Sequence, residues 1–536
     1  MLKLVRLPFL AALSGILLTI SWPEIGWSPI VFIAWIPLLI ATEHLNPDGK
    51  STRKLQVFAL SAFCFLIWNV GTTWWIVNAS LEGALLAFVA NSLLMAGVFT
   101  ISYSLRKLVP PQRSLFILPV FWLSFELIHH TWQLSWPWLT LGNVFANQYQ
   151  LIQWYEFTGT SGGSLWILLV NISIFNTLKT KVFLTEKTVI LKAVRNPLLG
   201  ILIPALLSLF MYINHKKDKG KQIHVSIIQP NIDPYTEKFD PSSTDQQLET
   251  FLELAKTVTD TNTDWLIGPE TALVSSMNEQ SINDEPRVKL LKSYCSNYPK
   301  LNLLIGAETH EFYFSEQTRT GTARKTGDES VFYDSYNTAL LINGKTLGLY
   351  HKSKLVPGVE QMPFPELFKL VESYAIDLGG TSGTLGTQTE RTVFCGINPD
   401  QKAAPSICYE SVYGDFMRSY IAKGANFIAI ITNDGWWGET PGYKQHLAYA
   451  RLRAIENRRS IVRSANTGVS CIINQRGDIV KSLPYWQKGA LAGSIALNNN
   501  LTIFSITGDL LGRTASILSL GLLVLYLVKR IKNRFS

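Results

Sequence analysis

Cys408 stands at the end of an apolar run, Pro405-Ser406-Ile407-Cys408-Tyr409-Glu410, with a carboxylate two residues further on. A thiol at a strand end is a candidate nucleophile. At its reference pKa of about 8.5 only a few per cent of it is thiolate near neutrality, so it needs a base or a neighbouring cation. Two other segments supply such groups. Glu270 follows a turn proline in Leu266-Ile267-Gly268-Pro269-Glu270-Thr271, and two lysines lie in Tyr350-His351-Lys352-Ser353-Lys354-Leu355-Val356-Pro357. Glu, Lys and Cys in that chain order point to acyl transfer through a thioester. Taken singly, each residue also has a plain structural reading: a Glu after Pro is commonly solvated, a Lys before an extended stretch commonly lies at the surface, and a Cys ending a strand is commonly buried filler.

What joins them is their place in the pattern. Glu270, Cys408 and Asn433-Asp434 each follow directly on a strand-like run, and in α/β sheets ligand sites form beyond the carboxyl ends of strands. Short β-rich runs fall at 223–229, 265–268, 301–307, 338–342, 406–409, 427–432, 461–464, 469–474 and 490–496, with helical patterns at 243–259 and 445–459 between them. The alternation predicts a layered α/β domain. His446 on the second helix has no Cys or His partner at ligand spacing, so no metal is expected. Arg451, Arg453, Arg458, Arg459 and Arg463 read as a solvated face ion-paired to Glu456, or as a patch that steers anions. There is no internal repeat and no Gly-rich phosphate loop, and no cofactor is expected.

The remainder of the 536 residues is too apolar for a soluble chain: 47% of the whole is hydrophobic and the mean hydropathy is +0.16. Twelve of the sixteen Trp precede residue 220, as expected where indole rings anchor at the headgroup level. Apolar runs at 8–21, 29–42, 56–76, 83–104, 114–130, 160–178, 197–213 and 509–528 give eight candidate spans. Basic residues cluster in alternate loops: Lys3 and Arg6; Lys50, Arg53 and Lys54; Arg106, Lys107 and Arg113; Lys179, Lys181, Lys187, Lys192 and Arg195; and Lys529, Arg530, Lys532 and Arg534 after the last span. The loops at 22–28, 77–82 and 131–159 contain no Lys or Arg. By the positive-inside rule both termini are cytoplasmic and the large segment between spans seven and eight lies on the far side. The net charge of +9 is thereby explained by membrane orientation, without nucleic acid. The expected domains are a transmembrane part at 1–220 with about seven helices, an outer domain at 221–504, and a final span with a basic tail at 505–536. Cys295, Cys395, Cys408 and Cys471 then face an oxidising compartment, where they form disulfides or stay free. Glu126 falls inside span five, either as a functional group or as a partner of His129 or His130.

The motifs in the outer domain resemble the nitrilase, or carbon–nitrogen hydrolase, superfamily. Together with the flanking spans and Trp136-Pro137-Trp138-Leu139, the chain is similar over nearly its full length to the apolipoprotein N-acyltransferase family. The resemblance rests on Gly268-Pro269-Glu270-Thr271-Ala272, Tyr350-His351-Lys352, Leu355-Val356-Pro357, Ile407-Cys408-Tyr409-Glu410 and Thr432-Asn433-Asp434-Gly435-Trp436-Trp437-Gly438. It implies an αββα sandwich inserted into a polytopic α-helical membrane protein. Carried over by motif, Glu270 is the general base, Lys352 the cation for the tetrahedral oxyanion and Cys408 the nucleophile. The family's eight-residue spacing from Lys to a second Glu is met by Lys352 and Glu360, which selects Lys352 over Lys354. Glu360 and Glu410 are supporting carboxylates, the backbone N–H near Tyr409 is a second oxyanion donor, and Trp436 lines or gates the pocket. Relatives commonly carry Lys-Trp where this chain has Lys238-Phe239, and Phe239 is left out of the expected site. The implied reaction takes an acyl chain from a membrane phospholipid, forms a thioester on Cys408, and passes the chain to the α-amine of the N-terminal diacylglyceryl-cysteine of an apolipoprotein. The implied place is the bacterial inner membrane, with a monomer whose catalytic domain is periplasmic. Lifting one long acyl chain into water costs about 10 kcal/mol at ~0.8 kcal/mol per CH₂, so a site at the bilayer surface is expected. The competing readings are a membrane-tethered amidase or nitrilase acting on a soluble substrate, and a lipid-binding scaffold or transporter.

Overall fold

The computed structural model describes residues 2–45, 53–179, 187–215, 218, 220–328, 330–344, 346–364 and 384–535. Lys50 and Lys181 of the charge pattern lie outside these residues. The chain divides into two compact units, Met1–Asn214 with Thr507–Ser536, and His215–Ile506.

The first unit is helical. Five of its described helices are long and apolar enough to cross a membrane: Lys54–Asn78, Leu81–Leu108, Thr160–Lys179, Val194–Asn214 and Leu510–Asn533. Shorter apolar helices cover Arg6–Ser21 and Ser28–His44, and Ile117–His129 occupies the fifth expected span. The tryptophans depart from the expected interfacial belt. Trp22, Trp35, Trp68, Trp75, Trp122 and Trp138 are almost completely buried, while Trp27 and Trp74 are exposed. Trp35 stands edge-on to Trp122 with ring centroids 4.7 Å apart, so these indoles are packing between helices. Glu126 is not paired with His129 or His130. Its carboxylate accepts the Trp122 indole N–H (3.0 Å) and the Leu141 main-chain N–H (2.8 Å), which ties the Trp-rich loop to the helix. That loop folds inward as 3₁₀ turns at Pro137–Leu139, Leu141–Phe145 and Tyr149–Leu151. Gly142 is required there, because a Cβ would meet the Thr160 carbonyl oxygen at 2.0 Å.

The second unit has two sheets. Its strands are β1 (Gln222–Gln229), β2 (Trp265–Ile267), β3 (Leu273–Asn278), β4 (Asn302–Tyr313), β5 (Arg324–Lys325), β6 (Phe332–Ile342), β7 (Leu347–His351), β8 (Phe394–Cys395), β9 (Lys402–Ile407), β10 (Phe427–Thr432), β11 (Ile461–Ala465), β12 (Cys471–Ile473), β13 (Ile479–Ser482) and β14 (Gly489–Ala496). One sheet runs β14-β1-β2-β4-β6-β5, with β3 against β4 and β7 against β6; the other runs β13-β12-β11-β10-β9-β8. β10 is buried at every residue and lies parallel to β9 and β11, which explains a continuous apolar run in place of an alternating one. The sheets pack face to face. The Ser464 hydroxyl of β11 donates to the Ile228 carbonyl of β1 at 2.7 Å, and Trp265 of β2 meets Phe427 of β10 with ring centroids 5.3 Å apart.

Helices cover the outer faces. Thr244–Val258 buries Leu248, Phe251 and Ala255, a 3–4 spacing that forms one stripe. These residues join Val288 and Leu291 of Pro286–Ser296 against Leu266, Leu303, Ile305 and Leu340 of the first sheet. Each such aliphatic or aromatic side chain contributes about 1.5–3 kcal/mol on burial. On the other face lie Gly414–Ala422 and Pro441–Asn457. The arginines of the latter region depart from the expected solvated face: Arg453, Arg458, Arg459 and Arg463 are all buried. The ion pair with Glu456 does form, at 2.9 Å from Arg453, but inside the fold. Most of these guanidinium groups end on main-chain carbonyls such as Val412, Gln475, Ala425 and Val469, so they serve as donors to loops and not as a surface patch.

Candidate active site

Glu270, Lys352, Cys408 and Asn433 all lie just past strand ends, after β2, β7, β9 and β10 respectively. Two backbone positions are unusual. β9 stops at Ile407, before the expected end at residue 409, and Cys408 opens a 3₁₀ turn, Cys408–Val412, with φ +52°. Thr271, next to Glu270, has φ +46°. Non-glycine residues in this region cost roughly 1–3 kcal/mol and persist where their surroundings over-determine them. Such a turn breaks the strand abruptly and leaves the buried thiol among Glu270, Lys352 and Thr432.

Around Glu270 the geometry is a closed set of ionic hydrogen bonds. Its Oε1 accepts Lys352 Nζ (3.0 Å) and Asn337 Nδ2 (2.8 Å), and its Oε2 accepts the Asn433 main-chain N–H (3.0 Å). Lys352 Nζ also donates to Glu360 Oε1 at 2.7 Å. Lys352 and Glu270 are buried and Glu360 is half-buried. Lys354, the sequence competitor, instead places its ammonium 5.0 Å from the centre of the Tyr413 ring. Glu360 is fixed by the Val356 N–H on its second oxygen (2.8 Å), which holds its carboxylate against Lys352.

Protonation follows from these contacts. Burial opposes charge on Glu270, but Lys352, then Asn337 and Lys238, outweigh it and hold the carboxyl below its ordinary range. Burial likewise opposes charge on Lys352, and Glu270 and Glu360 reverse that, so it remains an ammonium. Cys408 goes the other way. Burial pushes its thiol well up, the Glu270 carboxylate adds to this, and Lys352 only partly offsets it. The expected stabilisation of a thiolate by Lys352 is therefore overruled in the resting state: carboxylate, ammonium and protonated thiol sit together.

Glu410, the other supporting carboxylate, acts through the segments around the site. It makes no hydrogen bond to Lys352; its Oε1 accepts the Tyr350 hydroxyl and the Ser353 N–H (both 2.6 Å), and its Oε2 accepts the Ile407 N–H (2.8 Å). It thus clamps the segment carrying Lys352 to the strand end carrying Cys408. Burial pushes its carboxyl up, against those donors. Tyr409 is buried, with its ring edge-on to Tyr413 at 5.2 Å. Trp436 is half-buried, and Phe239 stacks on it at 5.9 Å and 23°. Tyr235 stands edge-on to the same indole and its hydroxyl donates to the Trp436 carbonyl at 2.6 Å.

Several residues that were not expected in the site hold it together. Lys238 is buried and donates to the Glu270 carbonyl at 2.9 Å; burial brings its pKa down to about 8 against the charges of Glu270, Glu308 and Cys408. Asn337 lies in mid-strand, and nothing in its type or spacing marked it. Beneath the Cys408 turn, Asp434 Oδ2 accepts Arg463 Nη2 (2.6 Å), Asp434 Oδ1 is 3.0 Å from His446 Nδ1, and His446 Nε2 is 3.1 Å from the Cys408 carbonyl. Burial opposes charge on Asp434, but Arg463 and His446 bring its pKa down to about 2. His446, for which no metal was expected, thus bridges Asp434 and the Cys408 backbone. All five cysteines are free, with Cys395 exposed and the others buried.

The two-sheet fold with Glu, Lys and Cys beyond its strand ends is that of the carbon–nitrogen hydrolases, whose family pattern matches residues 224–499. The apolipoprotein N-acyltransferase N-terminal domain matches residues 14–173. Relatives of the same name extend over both parts. The apolipoprotein N-acyltransferase of Chlorobaculum tepidum is 30% identical over 515 residues, covering 94% of this chain and 93% of that one. That of Geobacter metallireducens is 28% identical over 516 residues, covering 93% and 91%. The chain belongs to the apolipoprotein N-acyltransferase family. Among solved structures, a variant of the Nesterenkonia AN1 amidase of the nitrilase superfamily aligns with 55% of this chain and 98% of its own, at 15% identity and a TM-score of 0.37.

Proposed function

We propose that this chain transfers a fatty acyl chain from a membrane phospholipid to the α-amino group of the N-terminal diacylglyceryl-cysteine of apolipoproteins, through a thioester on Cys408. The observation that carries the reading is the ion set Glu270–Lys352–Glu360 beside a protonated thiol on a strained turn, in a chain with membrane-length helices. As the sulfur attacks the ester carbonyl, Glu270 takes its proton. The Lys352 ammonium and the Tyr409 N–H receive the oxyanion, and losing one such donor typically costs about 100–1000-fold in rate. Collapse breaks the ester C–O bond, and Glu270 returns the proton to the departing lysophospholipid. In the second half the amine attacks the thioester, the C–S bond breaks and the thiol is restored. Glu410 keeps the Lys352 and Cys408 segments in register, and Trp436 with Phe239 forms one wall of the substrate path.

The accompanying arrangement is a monomer of the bacterial inner membrane with eight spans. Residues 1–220 hold seven of them, 221–504 form a periplasmic catalytic domain, and 505–536 form the last span and a cytoplasmic tail. The alternation of basic and uncharged loops supports this orientation, with both termini cytoplasmic.

The test uses the full chain in detergent micelles with a phospholipid labelled in its acyl chain and a synthetic diacylglyceryl-cysteinyl peptide. The expected result is label on Cys408, released by hydroxylamine, absent in Cys408→Ala, and chased to the peptide amine with ping-pong kinetics. Turnover of a soluble amide without phospholipid, and no label on Cys408, would replace this reading by the amidase one.

A further inference from the structure

The charges around the thiol include a carboxylate that neither the triad nor its supports use. Glu308 lies on β4, directly across from Asn337 on β6, so the two side chains share one face of the sheet. Asn337 marks that face as the one toward the site, because its amide holds Glu270. Gly306, two residues earlier on β4, marks it again: a Cβ there would meet the Glu270 Cα at 2.7 Å. The alternate residues Ile305 and Ala307 point into the outer core. Glu308 therefore projects beside Glu270, one step closer to the strand's carboxyl end, and is half-buried where Glu270 is buried. Among the described residues its carboxylate makes no hydrogen bond; its one evident counter-charge is Lys238, whose ammonium bonds the Glu270 carbonyl.

The donor lipid brings no cation to the reacting atoms, whereas the acceptor does. An α-amine has a pKa of about 7.7–8.0, so near neutrality it arrives largely as an ammonium. It must approach a thioester flanked by two buried ammonium groups, Lys238 and Lys352, of which Lys352 is matched by Glu270 and Glu360. It must also lose two protons to become an amide, and Glu270 can hold one.

We propose that Glu308 binds the α-ammonium of the acceptor and takes its first proton, so that this side chain selects and readies the second substrate. This rests on the acyl-transfer reading above. The ammonium gives one proton to the Glu308 carboxylate, the neutral amine nitrogen attacks the thioester carbonyl, and the second proton passes to Glu270. The C–S bond then breaks, the sulfur takes the proton from Glu270, and Glu308 releases its own to solvent. Burial keeps the Glu308 carboxyl up at about 7 against the pull of Lys238, which suits a group that exchanges a proton near neutrality. The other charged groups on this side are Glu270, Glu360, Lys238 and Lys352, with Asp434 below Cys408; His310, further along β4, is engaged 2.8 Å from the Ser276 hydroxyl.

The two half-reactions are measured separately on the full-length enzyme in phospholipid micelles, using lysophospholipid burst for acylation and chase to a diacylglyceryl-cysteinyl peptide for transfer. In Glu308→Gln the burst is expected to fall by less than about threefold. Transfer at pH 7 is expected to fall at least about tenfold, with a raised KM for the peptide, and to recover toward pH 9 as the amine loses its proton unaided. Glu308→Asp should restore part of the loss. Transfer by Glu308→Gln at the wild-type rate at pH 7, or an equal loss in both halves, overturns the proposal while leaving the acyl-transfer reading in place. Absence of any acyl-enzyme in the wild type overturns that reading itself.

Discussion

The two sides of Cys408 are built to different rules. On one side Glu270, Lys352 and Glu360 form an ion set at the sheet ends, half-open to solvent through Glu360. On the other, Arg463, Asp434 and His446 form a set of similar chemistry that is fully buried and ends on the Cys408 carbonyl. In the proposed mechanism the first exchanges protons with a substrate. The second is sealed: besides the Cys408 carbonyl its groups bond the Val469 carbonyl and the Ser411 and Thr432 hydroxyls within the fold. Charged residues of the same kinds thus reach toward solvent in one place and brace a strained turn in the other, and what separates them is access and not composition.

That contrast is open to direct attack by substitution. The largest effect is expected for Glu270→Gln and Lys352→Met. Each should lower the acylation rate by at least about 100–1000-fold, since base or oxyanion support is lost, while Glu270→Gln should leave thermal melting within a few degrees of wild type. Asp434→Asn should instead lower stability and activity together. It leaves Arg463 buried without its partner, a change that typically costs about 3–5 kcal/mol, and melting of the purified protein in detergent checks it. If Asp434→Asn melts like wild type and loses only rate, the sealed side has been misassigned.

A smaller effect separates the two sides by pH. Asp434 titrates in the folded state at about 2, below its ordinary value, so its contribution is present above about pH 4 and is lost as pH falls through about 2. The shift corresponds to about 2 kcal/mol. Wild-type melting should therefore drop across that window by more than Asp434→Asn does. Smaller still is the expected change in Phe239→Trp, which keeps the stacking on Trp436 and should alter acylation by less than about fivefold.

Much of the reactive side was legible in the sequence because its residues follow apolar runs whose types mark them as strands. The run at 427–432 became β10 with the same limits, and Glu270 and Asn433 could be placed at strand ends before any geometry was known. The sealed side was not legible. Arg453, Arg459 and Arg463 carry the same signature as a solvated face, and only the fold reveals that main-chain carbonyls take their donors. Asn337 and Glu308 were missed for a related reason: polar residues within strands announce a surface, and the site here lies between two sheets; Lys238, noted only as the neighbour of Phe239, lies in the turns after β1. Glu410 was expected as a supporting carboxylate, but its partners, the Tyr350 hydroxyl and the Ser353 and Ile407 N–H groups, carry no sequence signal.

The central claim is that Cys408 rests as a thiol and that Glu270 takes its proton when it reacts. Alkylation of Cys408 by iodoacetamide, followed by mass spectrometry of its own peptide across pH in wild type and Glu270→Gln, tests this most directly. The account predicts reaction near neutrality in the wild type, and in the variant a rate at least about tenfold lower at pH 7 that climbs only as the pH becomes strongly alkaline. Alkylation of Cys408 in Glu270→Gln at the wild-type rate at pH 7 would contradict it.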